Sequence, residues 1–269
     1  MLRRSTEHLG AKGSRTPRLD AELLLGKSLG LTRVELYMHL DRPLTEDERS
    51  AARELVARRA RGEPVQYVLG EWGFRRLLLK VDPRALIPRP ETEVVVERCL
   101  ALLAGIEAPR VLDVGTGSGA IALAIADECP VAQVTGLDAS PDALLLAREN
   151  AASTGIGVEL VQGDLFDGLP GSDWDLVVSN PPYVRPAELA TLEPQVREWE
   201  PHAALVGEGA TEAVARSAAA VLGPGGALVL EVAEGTSVEV AGLLERLGFR
   251  EVRTTQDLAG RDRVVEGRR

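Results

Sequence analysis

Two stretches of the chain hold residues whose types and spacing could do chemistry. In residues 179–184, SNPPYV, the residues Asn180, Pro181, Pro182 and Tyr183 come directly after the mostly apolar run 174–178. Proline fixes φ, removes a backbone donor and pushes the preceding residue out of the helical region, so Asn180 and Pro181 are both held extended. A turn this stiff presents the Asn180 side-chain amide and the neighbouring carbonyls at fixed positions. A rigid surface turn, with Asn180 as an ordinary turn residue, explains the same four residues. In residues 111–126, VLDVGTGSGAIALAIA, glycines at 115, 117 and 119 make a GxGxG spacing, where the dinucleotide fingerprint is GxGxxG. Glycine lets a backbone turn tightly and approach a ligand without a Cβ in the way, although many such turns only close a helix against a sheet.

Three aspartates accompany the glycine turn. Asp138 ends the second strand of the pattern, where a carboxylate can accept both hydroxyls of a ribose, and Asp164 with Leu165 follows the third, beside the expected adenine. An N-cap or turn residue is the structural alternative for either one. Asp113, inside the first strand, is expensive to bury unless donors reach it, either amides of the glycine turn or a ligand ammonium through water. The combination resembles the S-adenosylmethionine-dependent methyltransferases of the doubly wound class. That resemblance implies that Gly115, Thr116, Gly117, Ser118 and Gly119 line the methionine and ribose portions of the cofactor. It further implies that Asp138 holds the ribose, that Asp164 and Leu165 border the adenine, and that Asn180 reaches the same site. A hydride-transfer enzyme is the competing reading, but it normally carries GxGxxG and gives SNPPY no role.

An Asn-Pro-Pro-aromatic sequence after the fourth strand is similar to that of methyltransferases acting on planar nitrogen, in base amines or side-chain amides. An amide NH2 is a poor nucleophile because its lone pair is delocalised. Its two hydrogens should be held by acceptors, with the lone pair turned to the methyl group. The Asn180 side-chain oxygen and the Pro181 carbonyl can accept those two hydrogen bonds, Pro182 stiffens the turn, and Tyr183 can stack on the flat group. With a sulfonium leaving group, positioning and electrostatics suffice for an in-line displacement, and no general base is needed at the outset.

These residues need elements that bring them to one edge. Residues 19–61 read as short helices, with Thr45 and Glu48 as a capping box. The arginines of ELVARRARGE, residues 54–63, read as a solvated helix face. Residues 64–87 read as two strands, PVQYVLGEWGF and RLLLKV, around a glycine-containing turn. Beyond a helix over 91–105, strands at 110–114, 133–137, 158–162, 175–178 and 227–232 alternate with helices at 120–128, 143–153, 211–222 and 238–247, and a final strand pair lies near 249–255 and 263–266. That alternation implies an α/β fold, a doubly wound and mostly parallel sheet covered on both faces, with ligands at one edge. The expected domains are helical residues 1–63, a β-hairpin linker at 64–90 and the catalytic domain at 91–269.

Composition narrows the function classes. The 269 residues carry 31 Lys and Arg against 41 Asp and Glu, a formal charge of −10, which disfavours a large nucleic-acid substrate. No apolar run reaches the length of a membrane span, and the start lacks a signal-peptide stretch, so a cytoplasmic location is expected. Cys99 and Cys129 sit in neither a CxxC spacing nor a group with histidine and read as inert thiols. His8, His39 and His202 are far apart in sequence, so no metal site is expected.

Nearly the whole chain resembles the release-factor glutamine methyltransferases of the HemK type. The residues carrying this are IPRPETE (87–93), the glycine turn, NPPY (180–183), EPHAAL (200–205), LGPGGALVLEV (222–232) and DLAGRDRVV (257–265). The resemblance implies a helical N-terminal domain that grips the substrate, a hairpin, and a seven-stranded methyltransferase domain. It implies methyl transfer from S-adenosylmethionine to the side-chain N5 of the glutamine in the Gly-Gly-Gln tip of class I peptide chain release factors. Alternatives are an adenine-N6 DNA or ribosomal-protein glutamine methyltransferase using the same pocket, or a non-catalytic release-factor-binding module. Residues 87–90 read as a wall over the cofactor or as a stiff linker. Leu165, the segment 207–213 and the residues after Glu231 depart from the commoner family pattern.

Overall fold

The computed structural model describes residues 1–39 and 41–269. Two compact units emerge from the contacts, Met1–Glu71 with Leu192–Trp199, and Trp72–Thr191 with Glu200–Arg269.

The first unit is built from α1 (Leu2–Ala11), α2 (Pro17–Leu29), α3 (Arg33–Met38), α4 (Glu46–Ala60) and α5 (Val65–Leu69). The Thr45–Glu48 capping box forms in both directions at the start of α4, and a second box, Thr32 with Glu35, opens α3. Leu9, Leu24, Leu25, Leu36 and Val56 make the apolar centre. Two buried carboxylates on α2 tie the helices together. Asp20 accepts from the Ser14 and Thr16 hydroxyls and from Arg59 Nε at 2.7 Å. Glu22 accepts from Arg18, Arg33 and the Tyr37 hydroxyl. Burial raises Glu22, but the hydrogen bonds from Tyr37, Arg18 and Arg33 outweigh it and hold the carboxyl at about 2.

Two expectations fail in this unit. Residues 65–69 are helical and not a strand. Pro64 precedes them, and Gly70, at φ 76°, closes the turn by donating to the Gln66 carbonyl at 2.8 Å. A run of β-branched and aromatic side chains carried the strand pattern, and its two boundary residues decided the outcome. Arg59 does not belong to a solvated face either, because its side chain is 9% exposed against Asp20.

The second unit opens with the hairpin β1 (Glu71–Phe74) and β2 (Leu77–Lys80), tighter than the predicted strands. After α6 (Glu93–Leu103) come β3 (Arg110–Val114), α7 (Ala120–Glu128), β4 (Gln133–Asp138), α8 (Pro141–Thr154), β5 (Glu159–Gln162) and β6 (Trp174–Ser179). The chain enters the first unit again through α9 (Pro194–Trp199), then returns with α10 (His202–Leu205), α11 (Ala210–Val221), β7 (Leu222–Glu231), α12 (Ser237–Arg246), β8 (Arg250–Gln256) and β9 (Asp262–Arg268).

Seven strands form one sheet in the order β5-β4-β3-β6-β7-β9-β8, parallel except for β9, which runs antiparallel to both neighbours. The sheet is therefore the predicted mostly parallel, doubly wound type. Alternate side chains feed opposite layers: Val111, Leu176, Val229 and Val264 pack with α6 and α7, while Leu112, Val177, Leu230 and Val265 pack with α11 and α12. Buried Asn150 of α8 fastens the hairpin, accepting from Lys80 N at 2.7 Å and donating to the Lys80 and Ser118 carbonyls. Among the described residues no helix is long and apolar enough to cross a membrane.

Candidate active site

The sheet order reverses at β3, between β4 and β6, and this switch point is where doubly wound folds leave a crevice at the strand ends. A cavity of about 230 Å³ opens there. Of the sequence-predicted residues, Gly115, Thr116, Gly117, Ser118, Asp138, Asp164, Leu165, Asn180 and Pro182 line it.

The glycine turn at 115–119 is held by β4, because Gly115 N and Thr116 N both donate to the Leu137 carbonyl, at 2.8 and 2.9 Å. Gly115, Gly117 and Gly119 all have positive φ, and a Cβ at Gly115 would meet open space. The backbone is therefore bare toward the cavity. Gly119 lies outside the lining and starts α7. Asp138 Oδ2 accepts from Gly117 N at 2.8 Å and Oδ1 from Ser140 N at 2.9 Å, while Ser140 itself caps α8. Each carboxylate oxygen keeps a lone pair for a further donor. Burial raises the Asp138 carboxyl against the hydrogen bonds from these amides. Asp164 is exposed and also caps the short turn Leu165–Asp167 through Phe166 N. This donor set fits an adenosyl group: bare backbone for the chain and ribose, the Asp138 carboxylate for hydroxyls, and Leu165 as an apolar contact.

Asp113 is fully buried, and only one of its oxygens is satisfied. Oδ2 accepts from Thr116 Oγ1 at 2.6 Å and Ala122 N at 3.2 Å, and Oδ1 has no partner. Its donors are thus a hydroxyl and a helix amide, not the glycine amides expected from sequence. Burial pushes the carboxyl up to about 7 despite those two bonds.

At the reacting end, the parallel register sets Val114 beside Ser179 and Ser179 beside Leu230, so Gly115, Asn180 and Glu231 leave the sheet at one level. Ser179 Oγ donates to the Val114 carbonyl at 2.7 Å and locks that level. Asn180 Nδ2 donates to Thr92 Oγ1 at 3.4 Å, which leaves Oδ1 available as an acceptor. Pro181 is buried and Tyr183 is 37% exposed, and neither lines the cavity.

The cavity wall joins two motifs that the sequence left separate. Ile87, Pro88 and Arg89 line it together with Pro201, Ala203 and Ala204. Glu200, 4% exposed, accepts from Ile87 N at 3.2 Å and from the Arg89 guanidinium, so one carboxylate clamps the two segments. The loop after Tyr183 is pinned by Val184 N on the Leu205 carbonyl and Gly207 N on the Val184 carbonyl. A Cβ at Gly207 would lie 2.5 Å from Pro182 Cγ, so only glycine fits there.

The two units match known sequence families in the same order. A family model described as PrmC N-terminal domain covers residues 1–70, and one described as methyltransferase small domain covers residues 93–197. A release factor glutamine methyltransferase from Geobacter sulfurreducens is 47% identical over 97% of this chain and 93% of its own length. Its counterpart from Deinococcus radiodurans is 43% identical over 100% of this chain and 97% of its own. The chain belongs to the release factor glutamine methyltransferases. Among solved structures, the Thermus thermophilus 16S rRNA N2 G1207 methyltransferase in complex with AdoMet and guanosine shares the fold alone, with a TM-score of 0.54 at 20% identity, covering 74% of this chain and 49% of that one.

In this member of the release factor glutamine methyltransferases, three polar residues at the site were missed as such by sequence reasoning. Thr92, Glu200 and Glu231 each lie inside a motif that carried the family resemblance, yet nothing local to them gives a role. Charge inside an otherwise apolar strand, as at Glu231 after LVL, was the available signal.

Proposed function

We propose that this chain methylates the side-chain N5 of the glutamine in the Gly-Gly-Gln motif of class I release factors, in the cytoplasm. The observation that carries this reading is Asn180: held in a stiff turn, it lines the same cavity as the glycine turn and Asp138, with its amide oxygen unclaimed. S-adenosylmethionine supplies an electrophilic methyl group when bound. Gly115 to Ser118 would hold its chain and ribose, Asp138 its hydroxyls, and Leu165 with Asp164 would border its adenine. Asn180 Oδ1 and the Pro181 carbonyl accept the two amide hydrogens of the substrate glutamine, which turns the nitrogen lone pair toward the methyl group. Tyr183, exposed beside this turn, stacks on the planar amide. Alkylated amide nitrogen is cationic and strongly acidic, so its proton leaves to water.

Residues 1–63 act as the substrate-gripping domain, 64–90 as the linker and 91–269 as the catalytic domain. A charge of −10 suits a protein partner and opposes a bare nucleic-acid substrate. The test is mass spectrometry of a release factor incubated with enzyme and S-adenosylmethionine. One added methyl on the Gly-Gly-Gln glutamine is the expected result. Methyl transfer only to DNA or to a ribosomal protein, or cofactor binding with no methylation of any of these, would overturn it.

A further inference from the structure

S-adenosylmethionine carries a carboxylate at its methionyl end, and a carboxylate taken out of water needs donors or a cation beside it. The glycine turn has few donors to offer. Gly115 N and Thr116 N donate to the Leu137 carbonyl, Gly117 N to Asp138 Oδ2 and Gly119 N to the Thr116 carbonyl, so four amides of the turn are already engaged. The Thr116 hydroxyl is likewise turned to Asp113. Asp138 and Asp164, the acidic residues of the lining, repel an anion from the ribose and adenine end.

Two cations line the cavity, Arg84 and Arg89. Arg84 is engaged at all three guanidinium nitrogens, with Asp82 on Nε and Nη2 and Glu149 on Nη1 and Nη2, at 2.7 to 3.0 Å. Arg89 makes one such bond, from Nη2 to Glu200, and among the described residues nothing accepts from its Nε or Nη1. The Arg89 side chain is 30% exposed and that of Glu200 1%. A guanidinium fixed by a buried carboxylate keeps its remaining N–H groups as a preset fork for a second carboxylate. Its backbone neighbours place it at the methionyl end. A Cβ at Gly117 would lie 3.9 Å from Ala85 Cβ, and Thr92, whose N–H donates to the Arg89 carbonyl at 3.1 Å, receives Asn180 Nδ2. Residues 85–92 thus run from the glycine turn to the reacting turn.

We propose that Arg89 binds the carboxylate of the cofactor's methionyl end, and that Glu200 is the positioning residue that holds the guanidinium for it. This rests on the placement of the adenosyl group by Asp138 and the glycine turn. Glu200 also accepts from Ile87 N at 3.2 Å, so one carboxylate fixes both the guanidinium and the backbone that carries it. The contact is selective by charge. The sulfonium and ammonium groups of the cofactor are cations, so a ligand that keeps them and lacks the carboxylate sets two positive charges near an unpaired arginine face.

Isothermal titration of the full chain with S-adenosylmethionine and with its decarboxylated form, which differ by the carboxylate alone, tests this, with thermal melts as folding controls. Wild type should bind the decarboxylated form about 10-fold or more weakly, the worth of hydrogen bonds to a charged group. Arg89→Ala should weaken S-adenosylmethionine by a similar factor and weaken the decarboxylated form less than about 2-fold. Arg89→Lys, which keeps the charge and loses the fork, should fall between wild type and Arg89→Ala. Glu200→Gln should weaken S-adenosylmethionine less than Arg89→Ala does and again spare the decarboxylated form, a ligand-selective loss that a disordered wall would not give. Equal affinity of wild type for the two ligands overturns the proposal without any variant. So does an Arg89→Ala loss equal for both ligands, or an unchanged S-adenosylmethionine Kd with a raised KM for the release factor, which would assign Arg89 to the protein substrate. Equal losses for both ligands in Glu200→Gln overturn its positioning role. Asp138→Ala separates the two levels, because it should weaken both ligands alike. If it does so while Arg89→Ala fails to discriminate, only the Arg89 contact fails; if it leaves both unchanged, the adenosyl placement and the proposal fail together.

Discussion

Glu22 in the helical unit and Glu231 at the sheet edge are both about 1–2% exposed, and their surroundings push them in opposite directions. Glu22 has Arg18, Arg33 and Tyr37 on its oxygens and is held at about 2. Glu231 has an oxygen with no partner, and burial pushes its carboxyl up to about 7. Asp20 and Asp113 repeat the contrast: the first accepts from two hydroxyls and an arginine, the second leaves Oδ1 bare. The carboxylates that hold the helices together are satisfied on both oxygens, as are Asp138 and Glu200 at the cavity, whereas Asp113 and Glu231 each keep one oxygen without a partner. An under-satisfied buried acid is where a fold keeps its chemistry, and the two kinds should respond differently to substitution.

The largest effect expected at the cavity is that of Asn180→Ala, which removes an acceptor at the reacting atom. By analogy with loss of a single preorganised polar group, kcat should fall on the order of 10²-fold while cofactor Kd and melting temperature stay near wild type. A matching loss of stability would place Asn180 with the structural residues. Next comes Glu22→Ala, which leaves two arginines without their carboxylate. Breaking a buried pair costs about 3–5 kcal/mol, and the half-exposed arginines reduce that to about 2–3 kcal/mol, read by urea unfolding. Methyl transfer per folded molecule should be unchanged; a kcat defect would erase the contrast.

Asp138→Ala tests the intermediate case, a carboxylate with one backbone donor per oxygen and capacity left over. Cofactor affinity should weaken about 10-fold or more, as one or two charge-assisted hydrogen bonds are lost, with a smaller change in kcat at saturation. Isothermal titration with S-adenosylmethionine reads it. The smallest effect concerns pH and stability. Glu22, lowered to about 2, adds stability that is present above its ordinary value of 4.5 and is lost as pH falls toward 2. Glu231, raised to about 7, adds stability that is present below 4.5 and is lost as pH rises through about 7. Melting temperatures should therefore depend less on pH between 4.5 and 7 in Glu231→Gln than in wild type. Identical slopes would show that Glu231 titrates alike in both states.

The legibility of the sequence followed the same division. The glycine turn, the Thr45–Glu48 cap and the strand–helix alternation depend on neighbours a few residues apart, and each was readable from its own stretch. The contacts of Thr92 with Asn180 and of Glu200 with Ile87 span 88 and 113 residues, so no local pattern could announce them. Residues 65–69 misled because side-chain type favoured a strand while Pro64 and Gly70 fixed a single helical turn. Arg59 misled because burial depends on Asp20, 39 residues away.

The placement of β9 bears on how the polypeptide is made. It is the last strand in the chain, yet it lies inside the sheet, between β7 and β8. During synthesis, chain growth delivers everything through Gln256 before residues 262–268 can fill that slot. Until then β7 presents an open edge of apolar residues, Ala227 to Leu230, of the kind that recruits stray strands. The unfilled partner, β8, carries the exposed charges Arg250, Glu251 and Arg253, and charges of this kind on a strand discourage intermolecular pairing. Biogenesis of this enzyme is thus guarded at the step where its sheet is closed from within.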